Sequence, residues 1–164
     1  AGKKPQVYVT ESRPGLEGRL LAKDLASYGI LVTLISDSAV GAIARDANLV
    51  LVGADSVLAD GSAINKVGTK AIALLAREEG IPFYVGCETT KFNTANLLGE
   101  PVEIREMGAS EILGDIKEPL IGAKNPYFDI TQAKYISEFL TEKGSIRPSE
   151  VDGEIRRMLR KIYP

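Results

Sequence analysis

With 164 residues, 45% of them apolar, the chain can bury a substantial core as one domain spanning 1–164, and no run approaches the roughly 18 apolar residues of a membrane span. A formal charge of −2 leaves no basic footprint for direct nucleic-acid binding, and the lack of histidine excludes His-based triads and His-rich metal sites. Cys87, the single cysteine, excludes an internal disulfide or a thiolate metal cluster and reads as a reduced, half-buried thiol, which with no visible signal peptide points to the cytoplasm.

In chain order, Gln6-Val7-Tyr8-Val9-Thr10 reads as a buried strand. A helix is expected from Gly15 to Tyr28, with Leu21, Leu25 and Tyr28 on one face and Gly29 just past its last turn. Ile30 to Ile35 is the second strand, and Asp37-Ser38 can cap a short helix running to Arg45. Leu49 to Val52 is the third strand, Lys70 to Glu79 a helix closed by Gly80, and Pro82 to Gly86 the fourth strand. Asn93 to Lys124, punctuated by Gly99, Pro101, Gly108, Gly114 and Pro119, reads as a long excursion with short elements. Gln132 to Leu140 is expected to be helical, Gly144-Ser145-Ile146 turns the chain back, and Ser149 with Asp152 resembles a capping box. The final helix sets Val151, Ile155, Met158, Leu159 and Ile162 on one face. Arg156, Arg157, Arg160 and Lys161 at its end complement the helix dipole and read as solvated surface.

Strands alternating with helices of about ten to fifteen residues argue for right-handed βαβ crossovers. The strands are apolar throughout, as expected where helices cover both faces. The expected fold is therefore α/β: a Rossmann-like, doubly wound, mainly parallel sheet with helices on both faces. The chain opens on Ala1-Gly2-Lys3-Lys4 without methionine and enters a strand within a few residues, which reads as the C-terminal piece of a longer protein.

The run from Gly53 to Thr69 carries the chemistry. Asp55 follows the apolar strand Leu49-Val50-Leu51-Val52, at the carboxyl end where open α/β sheets bind ligands. Asn65 and Lys66 precede Gly68-Thr69 at the start of a helix whose free N–H groups favour anions. An acid facing a cation and a helix N-terminus suits a phosphorylated polyol. A carboxyl partly withdrawn from water there has a raised pKa and can trade protons near neutrality. Lysine suits phosphate as a point charge, and the Asn amide can both donate to and accept from sugar hydroxyls. A plain strand, a Gly-turned hairpin at Asp60-Gly61 and a capped helix would account for the same spacing without a ligand.

Gly53-Ala54-Asp55, Asn65-Lys66-Val67-Gly68-Thr69 and Asn125-Pro126-Tyr127-Phe128-Asp129-Ile130-Thr131 come in the order and spacing of one superfamily. Thr10-Glu11-Ser12-Arg13-Pro14 with Glu17-Gly18-Arg19, and Cys87-Glu88-Thr89-Thr90-Lys91-Phe92, add two further matches. Together they resemble the alpha, beta and delta regulatory subunits of translation initiation factor 2B, a family that also holds methylthioribose-1-phosphate isomerase and ribose-1,5-bisphosphate isomerase. The resemblance implies that Asp55 is the isomerases' proton donor, that Asn65 and Lys66 hold the sugar and phosphate groups, and that Lys91 contacts substrate. Without it, Lys91 reads equally well as a snorkelling surface lysine. Arg13 could reach the same crevice as a clamp, and Asn125 to Asp129 is expected to be structural and assembly-related. The resemblance further implies an absent, mostly helical N-terminal domain, a homo-oligomer (dimer or higher) and no metal or organic cofactor.

Two departures bear on function. The isomerases pair the aspartate with a cysteine upstream of this region, and Cys87 lies in the wrong motif to replace it. Glu17 stands where the isomerases tend to carry a glutamine, and a glutamate there repels a phosphorylated substrate. The reading adopted from the sequence is therefore a C-terminal domain of an archaeal-type initiation factor 2B regulatory subunit. Such a domain would be an assembly module with a pocket for a phosphorylated sugar or nucleotide and with initiation factor 2 as partner. The alternative is the catalytic half of an aldose–ketose isomerase acting on ribose 1,5-bisphosphate or a related ribose 1-phosphate.

Overall fold

The computed structural model describes residues 4–162, with the side chain of Ile162 outside the described residues. Two compact units divide the chain, one ending at Ala44 and the other beginning at Arg45.

In the first unit, strand β1 (Gln6–Thr10) lies parallel to β2 (Leu31–Ile35), with Val9 paired to Leu34. Helix α1 (Glu17–Ser27) makes the crossover, and Gly29, at φ +76°, follows its end. Gly18 is required where α1 meets β1: a Cβ there would lie 1.7 Å from the Thr10 carbonyl oxygen. Asp37 does not cap the helix that follows. Its carboxylate instead accepts the N–H groups of Ser12 and Arg13, at 2.8 and 2.7 Å, and pins the loop after β1. The expected helix to Arg45 is broken into 3-10 turns flanking the single turn α2 (Val40–Ile43).

In the second unit, β3 (Val50–Val52), β6 (Phe83–Gly86) and β8 (Glu138–Thr141) run parallel, and β9 (Gly144–Ile146) adds an antiparallel edge. A second, antiparallel sheet joins β4 (Ser56–Val57), β5 (Ala63–Lys66) and β7 (Phe128–Thr131). The Asp60-Gly61 hairpin forms as expected, with Gly61 at φ +80° and the Leu58 N–H bonded to the Ser62 carbonyl at 2.8 Å. Helices α3 (Thr69–Glu78) and α6 (Val151–Ile162) complete the core, in which Val57, Ala73, Ala76, Phe83, Phe139, Val151 and Ile155 are almost fully buried. Each large apolar side chain so buried contributes roughly 1.5–3 kcal/mol. From Asn93 to Lys124 the chain forms the short helices α4 (Thr94–Leu97) and α5 (Ser110–Leu113), in keeping with the expected irregular excursion.

Three expectations are corrected. Gln132 to Leu140 is not a helix: a 3-10 turn at Ala133–Tyr135 leads into β8, because β6 offers it an open parallel edge. The cap before α6 is not Ser149 with Asp152. The Arg147 N–H donates to Glu150 Oε2 at 2.8 Å, with Pro148 opening the turn, the position where a missing N–H costs nothing. The architecture is mixed α/β and not mainly parallel, since three of the six ladders are antiparallel among the described residues, and Leu31 and Leu51 on apolar strands stand exposed.

Candidate site at the carboxyl rim of the parallel strands

The register Val52 to Val85 aligns the carboxyl ends of β3 and β6, so the segments that follow leave the sheet along one rim. After β3 comes Gly53-Ala54-Asp55, and after β6 comes Cys87 to Lys91. Backbone bonds tie these exits together. The Asp55 N–H donates to the Ile64 carbonyl at 2.9 Å, which sets Asp55 beside Asn65 on the neighbouring strand. Val57 bridges Phe92 in parallel, and the Asn93 N–H reaches the Val57 carbonyl at 2.8 Å, so the 3-10 turn Thr89–Lys91 lies along β4. The fold thus gathers Asp55, Asn65, Lys66 and Lys91 at the same end of the second unit. Asn65 and Lys66 are half-buried, and Lys91 is exposed. Asp55 is also exposed, not partly withdrawn from water as expected, because it lies past the end of β3 where the sheet no longer covers it.

A hydrogen-bond chain orders the Asn65 side. Its Nδ2 donates to Thr69 Oγ1 at 3.0 Å, and that hydroxyl donates to the Lys66 carbonyl at 2.6 Å. Gly53 lies alongside, since a Cβ on it would be 3.8 Å from Asn65 Oδ1. The Lys66 ammonium sits 3.3 Å from the centre of the Tyr127 ring, a cation–π contact that holds the charge near the mouth of β5.

The helix N-terminus, expected to be free for an anion, is already occupied. Asp129 stands opposite Asn65 in the ladder between β5 and β7, and its carboxylate accepts the Gly68 N–H at 2.8 Å and the Lys70 N–H at 3.1 Å. The protein's own carboxylate therefore complements the dipole of α3, and a ligand phosphate there must rely on the lysines. Burial pushes the Asp129 carboxyl above its ordinary value, against the two backbone amides that draw it down. Asp129 and Thr69 are the residues that sequence reasoning did not assign to this site. Thr69 stands in the sequence as the last residue of the Asn65-to-Thr69 motif and the start of a helix, with no ligand role.

Cys87 is half-buried, and burial, with the Glu142 charge adding, pushes its thiol up to about 11 against the influence of Lys91. A thiol so protonated is a poor nucleophile, which fits the view that Cys87 does not substitute for a catalytic cysteine. Glu142 accepts the Thr89 N–H and hydroxyl, at 2.9 and 2.5 Å, and these bonds hold its carboxyl below the usual range. In the first unit, the Arg13 side chain is exposed, and Glu17 is the first residue of α1.

The profile of the Initiation factor 2 subunit family matches residues 1–148. The chain is 45% identical over 148 residues to a ribose 1,5-bisphosphate isomerase of Methanocaldococcus jannaschii, covering 90% of this chain and 48% of the relative. It is 42% identical over 155 residues to a methylthioribose-1-phosphate isomerase of Carboxydothermus hydrogenoformans, covering 90% and 45%. Among solved structures, the translation initiation factor eIF-2B subunit delta from A. fulgidus superimposes with a TM-score of 0.84 at 32% identity, over 94% of this chain and 48% of the other. The chain thus spans about half the length of the relatives it matches.

Proposed function

The chain belongs to the initiation factor 2 subunit family, and from that premise we propose that it is the catalytic C-terminal half of an aldose–ketose isomerase acting on ribose 1,5-bisphosphate or a related ribose 1-phosphate. The observation that carries this is the 45% identity with a ribose 1,5-bisphosphate isomerase, together with an intact Asp55, Asn65, Lys66 and Lys91 on one rim. The relatives' names move the balance from the regulatory-subunit reading, to which the sequence alone leans, toward the enzyme.

A ribose phosphorylated at C1 has no free aldehyde, so its ring must open before it can isomerise. Asp55 gives a proton to the ring oxygen as the bond from C1 to that oxygen breaks. The hydrogen that leaves C2 arrives at C1, the C2 hydroxyl becomes a carbonyl, and its proton replaces the one Asp55 gave. C2 is oxidised and C1 reduced by the same amount, so no external oxidant or reductant is consumed. Asn65 bonds the sugar, and Lys66 and Lys91 neutralise phosphate charge. An exposed Asp55 needs the bound substrate to exclude water from around it. The cysteine that pairs with this aspartate in the isomerases is expected upstream of these residues. A doubly wound arrangement and a homo-oligomer belong to the same proposal.

The second reading, a regulatory subunit with initiation factor 2 as partner, is favoured by the likeness to the eIF-2B subunit delta structure at a TM-score of 0.84. Incubating the whole protein with ribose 1,5-bisphosphate and with methylthioribose 1-phosphate separates the two. A ketose carbonyl resonance from either substrate by carbon-13 NMR supports the isomerase. Its absence with both, and co-purification of initiation factor 2, favours the subunit.

A further inference from the structure

Thr69 sits at the first turn of α3 and is 5% exposed. A threonine hydroxyl carries one hydrogen and two lone pairs. Here the hydrogen is committed, because Oγ1 lies 2.6 Å from the Lys66 carbonyl, a group that only accepts. Asn65 approaches the same oxygen at 3.0 Å. With its hydrogen turned to Lys66, the hydroxyl presents lone pairs to Asn65. An amide oxygen would be repelled from that position, and an amide N–H is attracted. The amide is therefore held with Nδ2 toward Thr69. Its Oδ1 takes the other arm and lies beside Gly53, 3.8 Å from where a Cβ on that glycine would be. Asp129, bonded to the Gly68 and Lys70 N–H groups, fixes the helix start that carries Thr69.

We propose that Thr69 is a positioning residue that sets the polarity of the Asn65 amide, so that the position beside Gly53 receives a sugar hydroxyl and not a phosphate oxygen. Oδ1 accepts only, so the ligand atom that reaches it must carry a hydrogen. A fully ionised phosphate has none to give and is repelled by the carbonyl dipole. It goes to the lysines instead, while Oδ1 discriminates the sugar. The ligand class rests on the sugar-phosphate reading above, whereas the amide's polarity rests on the hydrogen bonds alone.

The test compares Thr69→Val, which keeps shape but loses the hydroxyl, with Thr69→Ser, which keeps the hydroxyl. In the nitrogen-15-labelled full chain, the Asn65 side-chain amide should exchange its hydrogens at least about tenfold more slowly in wild type and Thr69→Ser than in Thr69→Val. Calorimetry should give about a tenfold loss of ribose 1,5-bisphosphate affinity in Thr69→Val, the order of one hydrogen bond, with Thr69→Ser near wild type. Inorganic phosphate should bind all three alike. Equal exchange in wild type and Thr69→Val, or an equal loss of inorganic phosphate binding, overturns the proposal. Slow exchange that follows the hydroxyl, in a wild-type chain that does not bind ribose 1,5-bisphosphate, upholds the positioning role and overturns the sugar-phosphate reading.

Discussion

Replacing Asp129 by alanine removes the carboxylate that caps α3. Two amides lose their acceptor, Gly68 from 2.8 Å and Lys70 from 3.1 Å. Loss of a helix cap costs about 0.5–2 kcal/mol, and a bond to a charged acceptor about 1.5–3 kcal/mol. The exposed Lys70 amide regains water, whereas the half-buried Gly68 amide regains it poorly, so we expect about 2 kcal/mol in all. For a chain of this length that lowers Tm by about 4–8 °C, measured by circular dichroism. Asp129→Asn retains one acceptor oxygen and should lose roughly half as much. The pH dependence has a definite sign. Burial raises the carboxyl in the folded state, so its titration contributes stability that is fully present below the ordinary carboxylate value and lost as pH rises through the raised one. The gap between wild type and Asp129→Ala should therefore be widest in acid and narrow as pH climbs above about 4. If Asp129→Ala melts within 1 °C of wild type at neutral pH, the carboxylate is not the cap, and the start of α3 is available to a ligand anion after all.

Gly18→Ala would set a methyl carbon 1.7 Å from the Thr10 carbonyl oxygen, so it should cost about 3 kcal/mol or more by chemical denaturation. A loss under about 0.5 kcal/mol would refute the close approach of α1 to β1. Cys87, with its thiol near 11, should react with iodoacetamide at pH 8 about a hundredfold more slowly in the folded chain than in urea. Equal rates would mean that burial does not hold the thiol protonated.

Much of this was readable in advance because the signals are local. The runs of β1, β2, β3 and β6 are apolar, α1 and α3 end on Gly29 and Gly80 in the left-handed region, and Asp60-Gly61 announces its hairpin. The failures lie where partners are distant. Ala133, Ile136 and Leu140 share a helical spacing, yet Phe139 is fully buried between exposed or half-buried neighbours because β8 inserts between β6 and β9. Tertiary pairing overrode the local period. The same holds at the site. Asp55, Asn65, Lys66 and Lys91 were visible as motif residues, but the group that answers the dipole of α3 comes from Asp129, 61 residues beyond Gly68. The exposure of Asp55 was equally hidden, since the strand before it ends at Val52 and β4 is two residues long. The cap before α6 was misplaced by two residues because Ser149 and Asp152 imitate the motif that Arg147 and Glu150 form.

In the proposed reaction Asp55 is the acid that opens the ribose ring. Turnover of ribose 1,5-bisphosphate to its ketose by the whole protein should fall about 10²–10⁴-fold in Asp55→Asn, with binding of the substrate little changed. Turnover in Asp55→Asn within a few-fold of wild type would remove Asp55 from the chemistry and contradict the assignment.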